Sequence, residues 1–439
     1  MNAFRETWAR LTFGRRLTVV VALGAVWRYG YVIAAKWNQS LLLNDSLYYS
    51  WQAAGLTRGE FFKDITGKRE AAEHGPLTSI VLAPVSWGSH AVDQQRLLTA
   101  TLGVITIALI GTLARRLAAT AGAELADRVG IVAACVAAAY PNLWINDGLV
   151  MSESLGALLV VLILLALVDL INESISRRSR ATRAVAFGLL VGLGALARSE
   201  LILAIVFGAL VMLLWVRPWR HSLALIGLAT LAMLIVISPW IIYNQSRFDE
   251  SVTLSTNDGT TLIGANCPET YYSPPALGGW SFFCVLDVQG PPGADDSVRA
   301  RIQRDTAISY AKHHWTRLPL IGVARLGRTI DVFKVGNLVH QDEGEEKATW
   351  AIWSGIVGWW VLAPIAALGL IKVARRRERT VLLVPVAIVV ITSIVFYGTH
   401  RLRVTMEPVV VIGAALFLCS LAAPRPSTLG AAPSPEETG

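Results

Sequence analysis

Ten long apolar stretches constrain the fold of this chain more than any other feature. An apolar stretch of roughly 17 to 25 residues is long enough to cross a hydrocarbon core about 30 Å thick. Of the 439 residues, 54% are hydrophobic and 16% charged, which is more apolar surface than a water-soluble fold could bury. The sequence therefore predicts an all-α polytopic membrane protein. We place the spans at 17–35, 97–114, 129–146, 150–171, 184–198, 200–216, 222–242, 351–371, 380–397 and 404–422.

Basic residues in the connections predict the orientation of the spans. If the N-terminus is cytoplasmic, most Lys and Arg residues fall on the inside, as the positive-inside rule requires. The net charge of +8 then reflects orientation, and nucleic acid is not expected as a partner. If 76–87 were an eleventh span, every later connection would lie on the opposite side of the membrane and the basic clusters would move outside. We therefore predict an interfacial or re-entrant helix there. The first span is entered by Arg15-Arg16 without a convincing cleavage site, which favours an uncleaved anchor.

The connections divide the chain into regions. Two outer segments are long: 36–96, and a segment near 243–350 that mixes Pro, Gly and polar residues and contains a predicted amphipathic helix from Ser297 to Val332. We therefore expect a membrane domain with a catalytic outer loop at 1–242 and a small extracytoplasmic loop domain at 243–350. C-terminal transmembrane helices at 351–422 and a disordered cytoplasmic tail at 423–439 are expected to follow.

The four cysteines fall into two pairs. Cys135 and Cys419 lie within predicted spans, where each is most simply a small packing residue. Cys267 and Cys284 lie in the second outer segment, where an oxidising compartment would permit a disulfide; two free thiols are the alternative. No cysteine or histidine spacing resembles a zinc site.

Asp45 is the strongest candidate for a catalytic group. It lies about ten residues beyond the first span and is followed by Tyr48, Tyr49 and Trp51, aromatic residues that favour the membrane interface and can stack on sugar rings. The alternative is an exposed carboxylate that caps a helix.

Two more ionisable residues lie further along the same outer segment. Glu73 and His74 precede Gly75-Pro76, which is expected to begin the interfacial helix. The carboxylate is a candidate ligand for a metal or a sugar hydroxyl, and the imidazole is a candidate ligand for phosphate. Both also fit solvated loop residues.

Three arginines in short outer connections oppose the charge bias of the chain. Arg198, Arg401 and Arg403, together with Arg96 at the outer start of the second span, could form a basic collar for a lipid-linked phosphate. The alternative is that each side chain extends to lipid headgroups.

Arg28 lies within the first span, where a charge needs a partner or a polar cavity. Asp147 and Glu153 flank the outer end of the fourth span and are the candidate partners. A structural ion pair inside the membrane accounts for them equally well.

Taken in order, these residues resemble the GT-C superfamily of integral membrane glycosyltransferases, which use polyprenyl-phosphate sugars. The resemblance covers about residues 15 to 420 and is closest to the protein mannosyltransferase and aminoarabinose-transferase branch. The matching motifs are Asp45 with Tyr48-Tyr49, His74-Gly75-Pro76-Leu77, Arg96-Leu97-Leu98-Thr99, Ala114-Arg115-Arg116-Leu117, Tyr140-Pro141 with Ser152-Glu153, Gly194-Ala195-Leu196-Ala197-Arg198, Pro239-Trp240 with Tyr243-Asn244, Ser255-Thr256-Asn257-Asp258-Gly259, and Tyr397-Gly398 with Arg401-Leu402-Arg403 before Glu407-Pro408.

The resemblance implies inverting transfer of a sugar, hexose or pentose, from a polyprenyl-phosphate donor to a glycan, lipid or protein acceptor on the outer face of the membrane. Asp45 matches the family's catalytic acid and would activate the acceptor hydroxyl as general base. Many relatives carry an Asp-Glu pair where this chain has Asp45-Ser46, so a divalent metal stays possible but unassigned.

Three other functions fit the same sequence. A polymerase or ligase of lipid-linked glycans and a non-catalytic assembly partner share the fold. A secondary transporter is disfavoured because the charges gather at one face and matching half-repeats are absent. Composition points to a bacterial inner membrane, with the site facing the periplasm or exterior and membrane lipids around the chain.

Overall fold

The computed structural model describes Trp8, residues 10–42 and residues 45–422, and this part of the chain is all-α. Within it the backbone pairs in strand fashion at one isolated bridge, between Lys63 and Glu70, and forms no named strand. The predicted fold class is confirmed. Asn44, Arg5 and the predicted disordered tail at 423–439 lie outside the described residues.

Within the described residues, eleven helices belong to the apolar part of the chain. In chain order they are α1 Phe13–Tyr31, α2 Ala91–Ala118, α3 Ala123–Ala139, α4 Pro141–Trp144, α5 Glu153–Ile171, α6 Arg177–Ala197, α7 Leu203–Trp215, α8 Trp219–Gln245, α9 Thr349–Leu368, α10 Arg376–Val395 and α11 Glu407–Leu421. Short 3-10 turns at Ile145–Gly148, Ser199–Ile202 and His400–Thr405 connect several of them, and π-helical turns extend α1 and α9.

In the described parts of the two outer segments there are eight helices. The first segment holds Asp45–Thr57 and Leu77–Leu82; the second holds Asn257–Ala265, Pro268–Tyr272, Phe282–Leu286, Asp296–His313, Leu318–Thr329 and Val335–Glu343. The helix at Leu77–Leu82 is only six residues long, so it is too short to cross a bilayer.

All ten predicted spans coincide with helices, and the described residues contain seven that are long and apolar enough to cross a membrane. An eighth span is possible if α3 and the Pro141–Gly148 segment, which meet at 62°, count as one. Ser199–Trp215 and Glu407–Leu421 are apolar but shorter. The predicted count of about ten therefore stays a prediction.

The predicted amphipathic helix from Ser297 to Val332 is wrong as a continuous element. The structure divides it into Asp296–His313 and Leu318–Thr329, separated by a 3-10 turn. Pro319 explains the break, because its ring would clash with the carbonyl four residues earlier in a continuous helix; it is tolerated in the first turn of the second helix.

Two glycines allow close approaches that position the outer ends of the spans. A Cβ on Gly75 would lie 2.3 Å from the carbonyl oxygen of Leu196, so only glycine lets the turn after His74 press against the end of α6. A Cβ on Gly103 would lie 2.3 Å from both carboxylate oxygens of Asp147. These contacts hold the first outer segment and the Ile145–Gly148 turn against the helix bundle.

Arg247 fixes the first outer segment to α8. Its guanidinium donates to the carbonyls of Phe62 and Ala71 and to Glu70, and it lies over the ring of Tyr243 at 4.4 Å. Because several donors of one guanidinium are used at once, the clamp is geometrically specific. The segment that carries Asp45 is therefore anchored to the helix bundle between Phe62 and Gly75.

Candidate active site

Asp45 is the first residue of its helix, and its carboxylate faces two cationic side chains. Arg401 approaches one oxygen through Nη2 at 2.6 Å, and His74 Nε2 lies 3.3 Å from the other. The Asp45 side chain keeps 27% of its surface exposed. Asp45 is thus held in place yet accessible, as a group that contacts a substrate must be.

His74 is positioned by the aromatic residues that follow Asp45. Its ring stacks on Tyr49 at 5.0 Å between centroids, and Tyr48 meets it edge-on at 5.2 Å. Tyr49 is buried. The two tyrosines, predicted to stack on a sugar, therefore support His74 in this structure, while Glu73 lies exposed beside it.

Arg401 joins three carboxylates from separate parts of the chain. Besides Asp45, its guanidinium contacts Glu153 through Nε at 2.5 Å and Glu345 through Nη1 at 3.2 Å. It lies in the turn His400–Thr405, between α10 and α11. Each partner uses a different nitrogen, so Arg401 is the centre of the cluster.

Arg198 completes the cluster from the end of α6. Its Nη1 donates to Glu153 at 3.0 Å and to Ser152 at 3.2 Å, and its Nε donates to Glu200 at 2.7 Å. The structure thus brings five predicted residues together. They are Asp45, His74, Glu153, Arg198 and Arg401.

The segment after Val335–Glu343 contributes charges that the sequence analysis missed. Lys347 Nζ donates to Asp342 at 2.8 Å and to Glu345 at 3.1 Å. His400 Nε2 lies 2.6 Å from Asp342. A run of charged residues directly before an outer span entry, at 342–347, is the signal that could have identified this segment.

Arg403 lies two residues beyond Arg401 but belongs to a separate buried cluster with Asp331 and Glu407, which is called the sealed cluster below. It donates to Asp331 at 2.7 Å and to Glu407 at 2.6 Å, and its guanidinium lies 4.1 Å from the ring centre of Trp359. All three charged side chains are at most 2% exposed. Arg403 therefore does not reach the surface around Asp45.

Arg96 and Arg28 are also enclosed by protein groups. Arg96 is fully buried and donates to the carbonyls of Lys36 and Gln39 and to Glu346. Arg28 pairs with Asp147, both about 1% exposed, so Asp147 is its partner and Glu153 is not. The four predicted collar arginines do not form one continuous ring.

Electrostatics keep the cluster charged. Burial alone would raise the pKa of Asp45, but Arg401 and His74 outweigh it and hold that pKa well below its usual range. Asp45 in turn raises the pKa of His74 despite its burial. Likewise, Asp342 and Asp331 overcome burial and raise the pKa of His400 to about 9.

A small polar cleft of about 30 Å³ lies between the two arginine clusters and is lined by residues of both. Its polar lining comprises Asn142, Asn146, Asp342, Lys347, His400 and Arg401, together with Arg403 and Glu407 of the sealed cluster. The cleft therefore joins the Asp45 side of the site to the bend after α3.

The outer cysteines are within bonding distance: the structure joins Cys267 and Cys284 with an S–S distance of 2.14 Å. Within the described residues Cys135 and Cys419 are free, as placed by the sequence analysis. Neither pair lies among the ion-pair residues around Asp45.

Comparison with known proteins identifies the fold. No protein-family model matches the chain, and no curated protein matches it in sequence. Among solved structures it resembles the oligosaccharyltransferase of Archaeoglobus fulgidus crystallised with zinc and sulfate, at 14% identity and a TM-score of 0.57, over 92% of this chain and 49% of that one. The same archaeal enzyme with an inhibitory peptide and a dolichol-phosphate matches at 13% identity and 0.52, over 95% and 51%. ArnT from Cupriavidus metallidurans bound to undecaprenyl phosphate matches at 15% identity and 0.44, over 92% and 78%.

This chain spans about half the length of the archaeal oligosaccharyltransferase. At these identities the likeness establishes a shared fold over nearly all of the present chain. The activity of the site is argued below from its own residues.

Proposed function

Because this chain has the GT-C fold, we propose that it is a glycosyltransferase that moves a sugar from a polyprenyl-phosphate donor to an acceptor on the outer face of the membrane. The observation that carries the proposal is the cluster around Asp45: an accessible carboxylate pairs with Arg401, which shares Glu153 with Arg198, at the outer ends of the apolar helices. The dolichol-phosphate bound to the archaeal oligosaccharyltransferase supports a lipid phosphate as ligand.

Arg401 and Arg198 are the proposed contacts for the donor phosphate. A guanidinium has five N–H donors, and the contacts of Arg401 with carboxylates engage three nitrogens once each, which leaves two N–H groups for a further anion. As the bond to the sugar breaks, negative charge builds on the leaving phosphate, and fixed cations there stabilise the transition state. The long isoprenoid tail would stay in the bilayer.

Asp45 is the proposed acceptor of the proton from the attacking hydroxyl. Its lowered pKa means that it is ionised at neutral pH and accepts a hydrogen bond from the acceptor before transfer begins. Such a weak base suits a reaction in which the proton leaves late, after bond formation has made the hydroxyl acidic. Attack from the side opposite the phosphate would invert the configuration of the sugar.

Arg96, Arg403 and Arg28 receive structural roles in this proposal. Each is at most 2% exposed and already paired with a carboxylate, so a donor phosphate could reach it only by breaking a buried ion pair. His74 is kept as a residue that positions Asp45 because it contacts that carboxylate directly.

Zinc in one archaeal structure raises the question of a divalent cation in this chain. Among residues 10–42 and 45–422, no group of three or more His, Cys, Asp or Glu side chains is arranged to hold a metal ion. The three carboxylates nearest the proposed reaction centre converge on a guanidinium instead. The residues present therefore do not fit a metal, and no step is assigned to one.

The finer assignments follow the same proposal. The sugar is a hexose or pentose, the acceptor is a glycan, lipid or protein, and the chain lies in the inner membrane with Asp45 facing the periplasm or exterior. The membrane domain at 1–242 with its catalytic outer loop, the loop domain at 243–350 and the helices at 351–422 are the units expected to act together.

The test is sugar transfer by the purified chain in lipid nanodiscs, offered a panel of radiolabelled polyprenyl-phosphate sugars. We expect transfer or donor hydrolysis by the wild type and its loss in Asp45→Asn at equal thermal stability. Activity that survives in the variant would refute the role of Asp45. Failure to turn over any donor would refute the proposed function and favour an assembly partner.

A further inference from the structure

The arrangement around Arg401 is unusual for an arginine. Three carboxylates approach one guanidinium: Asp45 from the first outer segment, Glu153 from the start of α5 and Glu345 from the segment before α9. Among the described residues no other arginine has three carboxylate partners, since Arg198 and Arg403 have two each. Residues separated by up to 300 positions are thus brought to a single cation.

Carboxylates that converge from separate elements repel one another unless a cation lies between them. Hard divalent ions such as Mn²⁺ or Mg²⁺ are held by such oxygen sets. Here the guanidinium lies at the point of convergence, with N···O distances of 2.5 to 3.2 Å. It offsets part of their negative charge and fills the space that an ion would need.

Each of the three carboxylates also has a second cationic neighbour. Arg198 contacts Glu153, Lys347 contacts Glu345 and His74 contacts Asp45. A divalent ion added to this cluster would therefore meet cations on several sides. Each carboxylate therefore already has two cationic partners without one.

We infer that Arg401 occupies the cation position of this site, so that the chain works without a divalent metal. The role of Arg401 in catalysis rests on the proposed function, whereas its place among the three carboxylates does not. Arg401 positions Asp45 and supplies the fixed positive charge beside the donor phosphate. Removal of its side chain would leave Asp45, Glu153 and Glu345 around an empty position, and we expect shifts of these carboxylates to bring them to a common ion there.

The test is a titration with Mn²⁺, followed by electron paramagnetic resonance, on the full chain in nanodiscs of neutral lipid after chelator treatment. We expect no saturable Mn²⁺ binding by the wild type below about 1 mM. Arg401→Ala should bind one Mn²⁺ ion with an affinity at least about tenfold higher. Arg198→Ala is the matched control, because it removes a buried arginine but leaves Arg401 among the three carboxylates. It is expected to bind no ion.

Two results of this titration would overturn the inference. One is saturable Mn²⁺ binding by the wild type, if the Asp45→Asn substitution abolishes that binding, since the native site would then hold a metal. The other is folded Arg401→Ala that binds no Mn²⁺, since the carboxylates would then form no cation site. If Arg401→Ala does not fold, the wild-type titration still decides, and Arg401→Lys, which keeps a cation in place, is expected to bind no ion.

Turnover gives a second readout. EDTA should leave wild-type transfer within about twofold of its untreated rate, whereas Arg401→Ala should lose about 10²- to 10⁴-fold and recover at least about tenfold when Mn²⁺ is added. Loss of wild-type transfer in EDTA that added Mn²⁺ restores would overturn the inference. If no donor is turned over at all, the proposed function fails while the Mn²⁺ titration still tests the cation position.

Discussion

Arg401 and Arg403 lie two residues apart in one short turn, yet they belong to different environments. The Arg401 side chain is 15% exposed and contacts an accessible carboxylate, whereas Arg403 is 2% exposed and its carboxylates are sealed. Trp359 covers the guanidinium of Arg403 at 4.1 Å. Residue type and position in the sequence therefore do not distinguish a candidate catalytic arginine from a structural one. The solvent exposure of the carboxylate that each arginine pairs with does distinguish them.

The two clusters also differ in what remains when the arginine is removed. When Arg401 is removed, each of its three carboxylates still contacts another cation, and the carboxylate of Asp45 is still partly exposed to solvent. Around Arg403, Asp331 keeps His400, but Glu407 keeps only the hydroxyl of Tyr140 as a partner in the described part of the chain. The same substitution should thus reduce activity at one position and stability at the other.

The largest effect is expected for Arg401→Gln. Loss of the fixed charge beside the donor should lower transfer by about 10²- to 10⁴-fold, while the midpoint of thermal unfolding stays within a few degrees of wild type. Radiolabelled transfer and thermal unfolding of the same nanodisc sample provide the measurement. A large fall in the unfolding midpoint with normal transfer per folded molecule would reverse the two assignments.

The next effect is expected for Arg403→Gln. Breaking a buried ion pair leaves Asp331 and Glu407 without their shared cation, which should destabilise the chain by about 3–5 kcal/mol. Transfer per folded molecule should stay within about threefold of wild type. The measurement is the unfolding midpoint together with activity normalised to folded protein; a selective loss of activity would place Arg403 in the active centre.

His400 connects the two clusters and predicts a pH dependence. Its imidazole contacts Asp331 on the sealed side and Asp342 on the other, and these carboxylates raise its pKa from 6.5 to about 9. Because the folded-state pKa is the higher one, this stabilisation is complete below about pH 6.5 and is lost as the pH rises through 9.

Thermal unfolding from pH 6 to pH 10 should therefore reveal a fall of roughly 1–3 kcal/mol. His400→Gln should start lower and show a flatter profile over the same range. An unchanged profile in this variant would mean that another group titrates.

The sequence alone predicted those features of the fold and the site that depend on short stretches of the chain. The apolar stretches located the helices. Asp45 lies in one ion-pair cluster with Arg198 and Arg401, two of the three arginines that oppose the charge bias. Those signals lie within short windows of the chain.

Which arginine meets which carboxylate could not be predicted. Arg96 pairs with Glu346 and Arg401 with Glu345, contacts that span 250 and 56 residues and depend on how the outer segments fold over the bundle. Hydrophobic periodicity carries no information on such pairs. The charged segment at 342–347 was missed for this reason, although its charges are visible in the sequence.

The smallest effect is expected for Tyr140→Phe, which probes the sealed cluster without removing a charge. The Tyr140 hydroxyl donates to Glu407 at 2.7 Å, so its loss should destabilise the chain by about 1 kcal/mol. Tyr31→Phe is the matched control: its buried hydroxyl has no hydrogen-bond partner in the described residues, and its removal should leave the unfolding midpoint unchanged. Because Arg403 still neutralises Glu407 in Tyr140→Phe, transfer should not change. A tenfold loss of transfer at an unchanged unfolding midpoint would instead mean that the sealed cluster controls the geometry around Arg401, and the distinction between the two arginines would fail.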